Sequence, residues 1–166
     1  MILTIWRHGE AGQAPRDFER TLTDRGCDDI GFGAQRFHAH CQRREIHAPD
    51  RIVHSPWIRT RQTADIVSAA FTHAVSAEDA RVQLGAGPAE ALSLVQSVIE
   101  ENISEHLLLV SHQPLVSQLV DCLLGDAGRV PPLSPGGLVV LELEIAEAGS
   151  ATLVFWSLPP EYGADA

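Results

Sequence analysis

Three short stretches of this sequence set charge, imidazole and hydroxyl side by side directly after an apolar run: Arg7-His8-Gly9-Glu10, Ser55 to Arg59, and Ser111-His112-Gln113-Pro114. Guanidinium forks match the oxygens of a phosphoryl group. The free N–H groups and positive dipole end of a helix starting at such a point add donors. A neutral imidazole among them is a nucleophile, so the set describes an anion site able to carry out phosphoryl transfer. Other routes to phosphate chemistry fail on inspection. The C-x5-R of a cysteine phosphatase is absent, since six residues on from Cys27, Cys41 and Cys122 stand Gly33, His47 and Gly128. A P-loop needs lysine and the chain has none, and no G-x-S-x-G elbow occurs. Neither H-E-x-x-H nor paired Cys/His spacing is present, and His38 and His40, two apart, cannot face one metal on a helix. No metal or other cofactor is expected.

The elements that would position these residues can be read from periodicity. Ile2 to Trp6, Arg51 to His54 and Leu107 to Val110 read as short buried strands, and each ends at one of the three clusters. Thr23 reads as the N-cap of a helix carrying Cys27, Ile30, Ala34 and Phe37, which fades before Pro49. Ser55-Pro56 reads as a cap with proline at the first helical position, followed by the stripe Thr63, Ile66, Val67, Ala70 and Phe71. Gly87-Pro88 opens a helix that ends near Asn102, and Leu115 to Leu123 form another that ends at Gly125. Leu138 to Ile145 and Thr152 to Leu158 read as two strands joined through Glu147-Ala148-Gly149-Ser150. This order predicts one α/β domain over residues 1–166: a three-layer α/β/α sandwich whose central sheet is mostly parallel, with an antiparallel C-terminal portion. If the first three strands run parallel, their following residues share one sheet edge, where open α/β folds place ligands.

Charge bounds the partners. The 166 residues carry 12 cations, all arginine, against 22 acids, a net charge of −10. Residues 1–81 hold 11 arginines and 11 acids, while the second half holds only Arg129 against its 11 acids. Such a chain is a poor nucleic-acid or anionic-membrane binder, and an anion site must draw on the first half. No apolar run approaches the ~18 residues of a membrane span, and the first residues show no leader pattern. The three widely spaced cysteines suit free thiols, which points to a cytoplasmic location.

At this point the motifs add up to a resemblance. Arg7-His8-Gly9, Leu22-Thr23 with Gly26, Ser55-Pro56-x-x-Arg59-x-x-Gln62-Thr63 and Ser111-His112-x-Pro114, in that order, resemble the histidine phosphatase superfamily, the phosphoglycerate-mutase-like fold. The stretch Leu84-Gly85-x-Gly87-Pro88, the run Ser111-His112-x-Pro114-Leu115-Val116 and the terminal Phe155-Trp156-x-Leu158-Pro159 are similar to the SixA-type phosphohistidine phosphatases. The resemblance implies that His8 attacks phosphorus and becomes phosphohistidine, its other nitrogen fixed by a backbone carbonyl. It implies that Arg7 and Arg59 hold the phosphoryl oxygens and that His112 donates to the same group. It further implies a neutral His8 beside a His112 in its protonated or donor form, hence a bell-shaped pH profile. Arg20 is expected either to guide substrate or to tie the 10–20 loop, a lid over the pocket, to an acid. Many relatives of this fold carry an acidic proton donor in the region matching Val82 to Glu90, and here no carboxylate occurs before Glu90. An imidazole leaving from an N–P bond needs a proton less than an alkoxide does, so the substrate expected is phosphohistidine on a phosphotransfer or phosphorelay protein. Glu10, Asp17 or Glu19 remains a candidate donor. A small-molecule phosphomonoesterase acting on a sugar or nucleotide phosphate, and a non-catalytic phosphate-recognition module, are the alternatives.

The remaining polar residues carry less. His54 reads as an edge or supporting residue, and His38, His40, His47, His73 and His106 as solvated. Arg36, Arg43 and Arg44 read as a solvated helix face able to steer an acidic partner.

Overall fold

The structure, a computed structural model, describes residues 1–165. Its strands are β1 (Ile2–Arg7), β2 (Arg51–His54), β3 (Val75–Glu78), β4 (His106–Ser111), β5 (Leu138–Glu142) and β6 (Thr152–Ser157), in one sheet of order β3-β2-β4-β1-β5-β6. The pairs β1–β4, β2–β4 and β2–β3 are parallel; β5 runs antiparallel to β1 and to β6. Helices α1 (Asp24–Arg43) and α2 (Ile58–Ser68) cover one face, and α3 (Pro88–Glu101) and α4 (Leu115–Leu124) the other.

Strand alternation builds the two cores. Leu3 and Ile5 of β1, with Leu107 and Leu109 of β4, point to α3 and α4, meeting Leu94, Val95, Leu119 and Leu123. Trp6, Leu108 and Val110 point the other way, to Ile30, Phe37 and Val67. A strand with helices on both faces must be apolar throughout, and every residue of β4 is buried. This accounts for the three-layer sandwich expected from the sequence.

Four local expectations need correction. Helix α2 begins at Ile58 with Trp57 as its cap residue, so Ser55 is not the cap and Pro56 does not stand at the first helical position. The Ser55 hydroxyl is engaged by a histidine instead, as described below. β5 ends at Glu142 rather than Ile145. β3 was not anticipated, because all of its residues are exposed at the sheet edge and leave no periodic signal. His40 and His106 are buried, not solvated. His106 Nε2 sits 2.8 Å from Thr4 Oγ1, and His40 Nε2 donates to the Tyr162 carbonyl at 2.9 Å. Hydrogen bonds to groups distant in sequence make such burial tolerable.

Parallel strands place the C-terminal ends of β1, β2 and β4 together, with Arg7 paired to Ser111 in register and His54 to Val110. The three clusters therefore converge at this edge.

Candidate active site

Two glycines let the loop after β1 lie against helix α1. A Cβ on Gly9 would stand 2.8 Å from Ile30 Cγ1, and one on Gly26 would collide with the Glu10 backbone. Thr23 caps α1 by accepting from the Gly26 N–H at 2.9 Å, and its hydroxyl donates to Glu10 Oε1 at 2.9 Å. The Gln62 side chain accepts from the Leu22 N–H at 2.8 Å, and Thr63 Oγ1 accepts from the Gly9 N–H at 3.2 Å, so α2 fixes the same loop. The motif residues flanking His8 are thus the ones that hold its backbone.

His8 is buried, and its Nδ1 lies 2.8 Å from the Gly9 carbonyl oxygen. A carbonyl only accepts, so Nδ1 carries the hydrogen and Nε2 presents its lone pair. Arg59 Nε donates to that Nε2 at 3.1 Å. Burial, followed by the nearby Arg59, Arg7 and Arg20 charges, pulls the His8 pKa down from 6.5 to about 4 against the opposing pull of the Gly9 carbonyl. The ring is neutral at pH 7.

Arg59 is almost fully buried, with its guanidinium carbon 4.6 Å from the Trp57 ring centre. Its other nitrogens reach the lid: Nη1 donates to the Asp17 carbonyl at 2.7 Å and Nη2 to Asp17 Oδ2 at 3.3 Å. Arg7 donates from Nη1 to the Leu133 carbonyl at 2.9 Å, while its Nε is buried without a partner. An orphaned guanidinium N–H beside a nucleophile is a donor awaiting an anion. The Leu133 carbonyl, in the Gly/Pro-rich loop, was not singled out from the sequence; nothing local marks it.

His112 lies with its ring centre 5.1 Å from that of His8 and 5.2 Å from that of Trp57. Its Nε2 is 2.8 Å from Ser55 Oγ, and its Nδ1 is buried with no partner. Burial first, then the His8 ring and the Arg59 charge, lower its pKa to about 3. Of the two forms expected for His112, protonated or donor, burial beside two arginines leaves the neutral donor, so the expected contrast in charge with His8 is not found.

The remaining candidates fall into place. All three Arg20 nitrogens are engaged with the lid, Nε on the Gly12 carbonyl at 2.6 Å, Nη2 on that of Ala11 at 3.1 Å and Nη1 on Asp17 Oδ1 at 3.0 Å. Of its two expected roles, the geometry is that of the tie. Asp17, bound mainly by Arg20 and also by Arg59, has its carboxyl held below the usual range and is ionised. Glu19 pairs loosely with Arg16 at 3.9 Å, and Glu90 accepts the Gly87 N–H at 3.1 Å at the start of α3. Among the loop carboxylates only Asp17 touches a pocket arginine. His54 donates from Nδ1 to the Ser55 carbonyl at 2.9 Å, a supporting position. A concavity of about 820 Å³ opens at the opposite end of the sheet by Met1, Ile2 and Glu105, and among the described residues no set of orphaned buried donors converges there.

A buried nucleophilic imidazole, two guanidinium groups and a second imidazole with a free nitrogen constitute a pocket for one oxyanion. The chain is 30% identical over 162 residues to the phosphohistidine phosphatase SixA of Escherichia coli (strain K12), covering 96% of this chain and 94% of that protein. It is 32% identical over 134 residues to a SixA homolog of Haemophilus influenzae, covering 78% of this chain and 81% of that one. No family model matches the chain. Among solved structures, the protein histidine phosphatase SixA complexed with tungstate superposes with a TM-score of 0.77 at 24% identity, covering 96% of this chain and 97% of that one. A mycobacterial glucosyl-3-phosphoglycerate phosphatase complexed with VO3 superposes at 0.73 with 16% identity, covering 95% and 99%. These two likenesses speak to the fold.

Proposed function

The chain belongs to the SixA-type family of the histidine phosphatase superfamily, and from that premise we propose that it removes the phosphoryl group from phosphohistidine on a protein, through a phosphohistidine intermediate on His8. The observation that carries the reading is the His8 ring itself, buried and neutral, with Nδ1 tied to the Gly9 carbonyl and the Nε2 lone pair directed at Arg59.

In the first step Nε2 of His8 attacks phosphorus, the P–N bond to the substrate imidazole breaks, and that imidazole leaves and takes a proton from solvent. In the second, water attacks the phosphoryl group on His8, which leaves as phosphate and restores the ring. Dividing the reaction in this way replaces one difficult displacement with two easier ones. The orphaned Arg7 Nε and the Arg59 guanidinium hold the non-bridging oxygens, whose charge a loose transition state spreads. Ser55 gives His112 the right tautomer for the same task. When the Ser55 hydroxyl donates to His112 Nε2, 2.8 Å away, the Nδ1–H of His112 is left free for phosphate. His112 is then a neutral donor.

The proton inventory favours an N–P substrate over an ester. Among the described residues no protonated carboxylic acid is placed at the pocket: Glu90 is tied at the start of α3 and Asp17 is ionised on Arg59 and Arg20. Since two arginines supply the charge, no step calls for a metal. The three free thiols agree with a cytoplasmic location, and no helix among the described residues is long and apolar enough to cross a membrane.

The test is phosphate release from a phosphohistidine-bearing phosphotransfer protein, compared with a panel of sugar and nucleotide phosphates. Turnover of the phosphoprotein at least a hundredfold above that of the esters is expected. Comparable rates would instead favour the phosphomonoesterase, and binding without turnover the recognition module.

A further inference from the structure

The face bearing Arg36, Arg43 and Arg44 lies outside the catalytic pocket. α1 starts at the catalytic edge and runs back toward the opposite end of the sheet, about 30 Å for a helix of this length. No acid occurs between Asp29 and Glu45, so the second half of the helix has no carboxylate of its own. Arg36, His40, Arg43 and Arg44 are spaced to share one face, and with Gly163 and Ala164 they line a pocket of about 380 Å³. Among the described residues no carboxylate is part of that lining. Arg44 also borders the separate concavity of about 820 Å³, which Glu45, Glu105 and Glu142 line with it.

The pocket is built rather than incidental. His40 is buried, and its Nε2 donates to the Tyr162 carbonyl, which leaves Nδ1 as an acceptor; Arg43 Nη2 donates to that Nδ1 at 2.7 Å. The Arg43 guanidinium is thus aimed by a buried ring that is itself anchored to the C-terminal segment. Arg44 is held by the Phe155 ring, its guanidinium carbon 5.0 Å from the ring centre. Arg36 Nε is buried with no partner. Among the described residues none of the three arginines has a carboxylate within salt-bridge distance, in a chain with 22 acids and 12 arginines. Three like charges gathered without a counter-charge repel one another, and a bound anion relieves the repulsion.

We propose that this pocket is a second anion site, which binds a small, multiply charged oxyanion such as a diphosphate group. Two guanidinium groups fixed in advance suit oxygens that accept in pairs, and the concave shape suits a compact ligand rather than an extended peptide. The proposal does not depend on the reading of the catalytic pocket.

Inorganic pyrophosphate is the probe, titrated calorimetrically at low ionic strength without divalent cations. The Arg7→Ala chain, with its catalytic oxyanion pocket weakened, is expected to bind one pyrophosphate tightly, and adding Arg43→Ala with Arg44→Ala is expected to weaken that binding at least tenfold. In the wild-type background the Arg43→Ala/Arg44→Ala chain keeps its phosphatase turnover and loses this pyrophosphate site. The same loss should appear as an absent pyrophosphate-induced rise in Tm, and Arg43→Lys should restore part of it. Unchanged pyrophosphate binding in the Arg43/Arg44 variant would overturn the proposal. So would binding of a hexaglutamate peptide in preference to pyrophosphate.

Discussion

Asp17 is paired with Arg59, the guanidinium that in the proposed reaction holds the phosphoryl group. Its carboxylate is 3.3 Å from Arg59 Nη2, and its side chain is 47% exposed. For charges this close at the wet end of the dielectric range, Coulomb's law gives about 1 kcal/mol, the upper part of the range measured for exposed ion pairs. An incoming phosphate must displace that carboxylate and also approach its negative charge. Asp17→Asn keeps the backbone carbonyl that accepts from Arg59 Nη1 and one of the two side-chain oxygens that accept from Arg20 and Arg59, while it removes the charge. Its expected effect is a fivefold or so tighter binding of phosphate or tungstate, the equivalent of about 1 kcal/mol. Inhibition constants for both ions, taken at low and high salt, provide the assay, and screening should shrink the difference at high salt. The rate separates this role from the alternative in which Asp17 protonates the leaving group: a displaced carboxylate leaves kcat on phosphohistidine nearly unchanged, whereas loss of a general acid lowers it about a hundredfold or more. Weaker oxyanion binding, or a kcat collapse, would refute the reasoning.

Other perturbations test the rest of the pocket. His8→Ala is expected to abolish turnover and the acid-labile phosphoenzyme while the circular dichroism spectrum and Tm stay close to wild type; a residual rate near wild type would refute His8 as the nucleophile. Ser55→Ala is expected to lower kcat about tenfold, the order of one misdirected hydrogen bond, and to change the tautomer ratio of His112 read by 15N chemical shifts. Activity is expected to persist in excess EDTA, and loss of activity restored by a divalent cation would contradict a charge supply made of arginine alone. His106 is buried with its pKa lowered from 6.5 to about 4, chiefly by desolvation. Below pH 6.5 the unfolded chain binds the proton first, so the His106 contribution is complete above pH 6.5 and declines as pH falls toward 4, by about 3 kcal/mol in all. Urea unfolding at pH 7 and pH 4.5 measures this decline, and equal stabilities would refute it.

Much of this was legible in the sequence because the same residues serve two purposes. Leu107 to Val110 could be read as a buried strand since both of its faces meet helices, and Thr23, Gly87-Pro88 and Gly125 mark helix ends by local backbone chemistry alone. The motif residues Gly9, Gly26, Gln62 and Thr63 could be found because the backbone around His8 can be held in few ways. Illegible were the features decided by tertiary contact. Ser55-Pro56 has the local form of a helix start, yet the Ser55 hydroxyl has a stronger claim in His112, and the helix waits until Ile58. His40 and His106 resemble surface histidines until Tyr162 and Thr4 arrive from elsewhere in the chain. The charge of His112 is illegible for a related reason: a donor role suits a protonated or a neutral ring alike, and burial, which no motif reports, decides between them.

Neutral histidines change how the pocket distributes its work. In the proposed reaction His8 attacks through a free lone pair and His112 offers a hydrogen; the Gly9 carbonyl fixes the His8 tautomer, and a Ser55 hydroxyl donating to His112 Nε2 would meet the second need without titration. Arginine then supplies the positive charge, since its guanidinium stays protonated where a buried imidazole does not. Arg7 and Arg59 remain cationic even though burial lowers the pKa of each. This division also explains the tie to Asp17. The Asp17 carboxylate neutralises part of the charge on Arg59, and Arg20 holds that carboxylate in place from the loop.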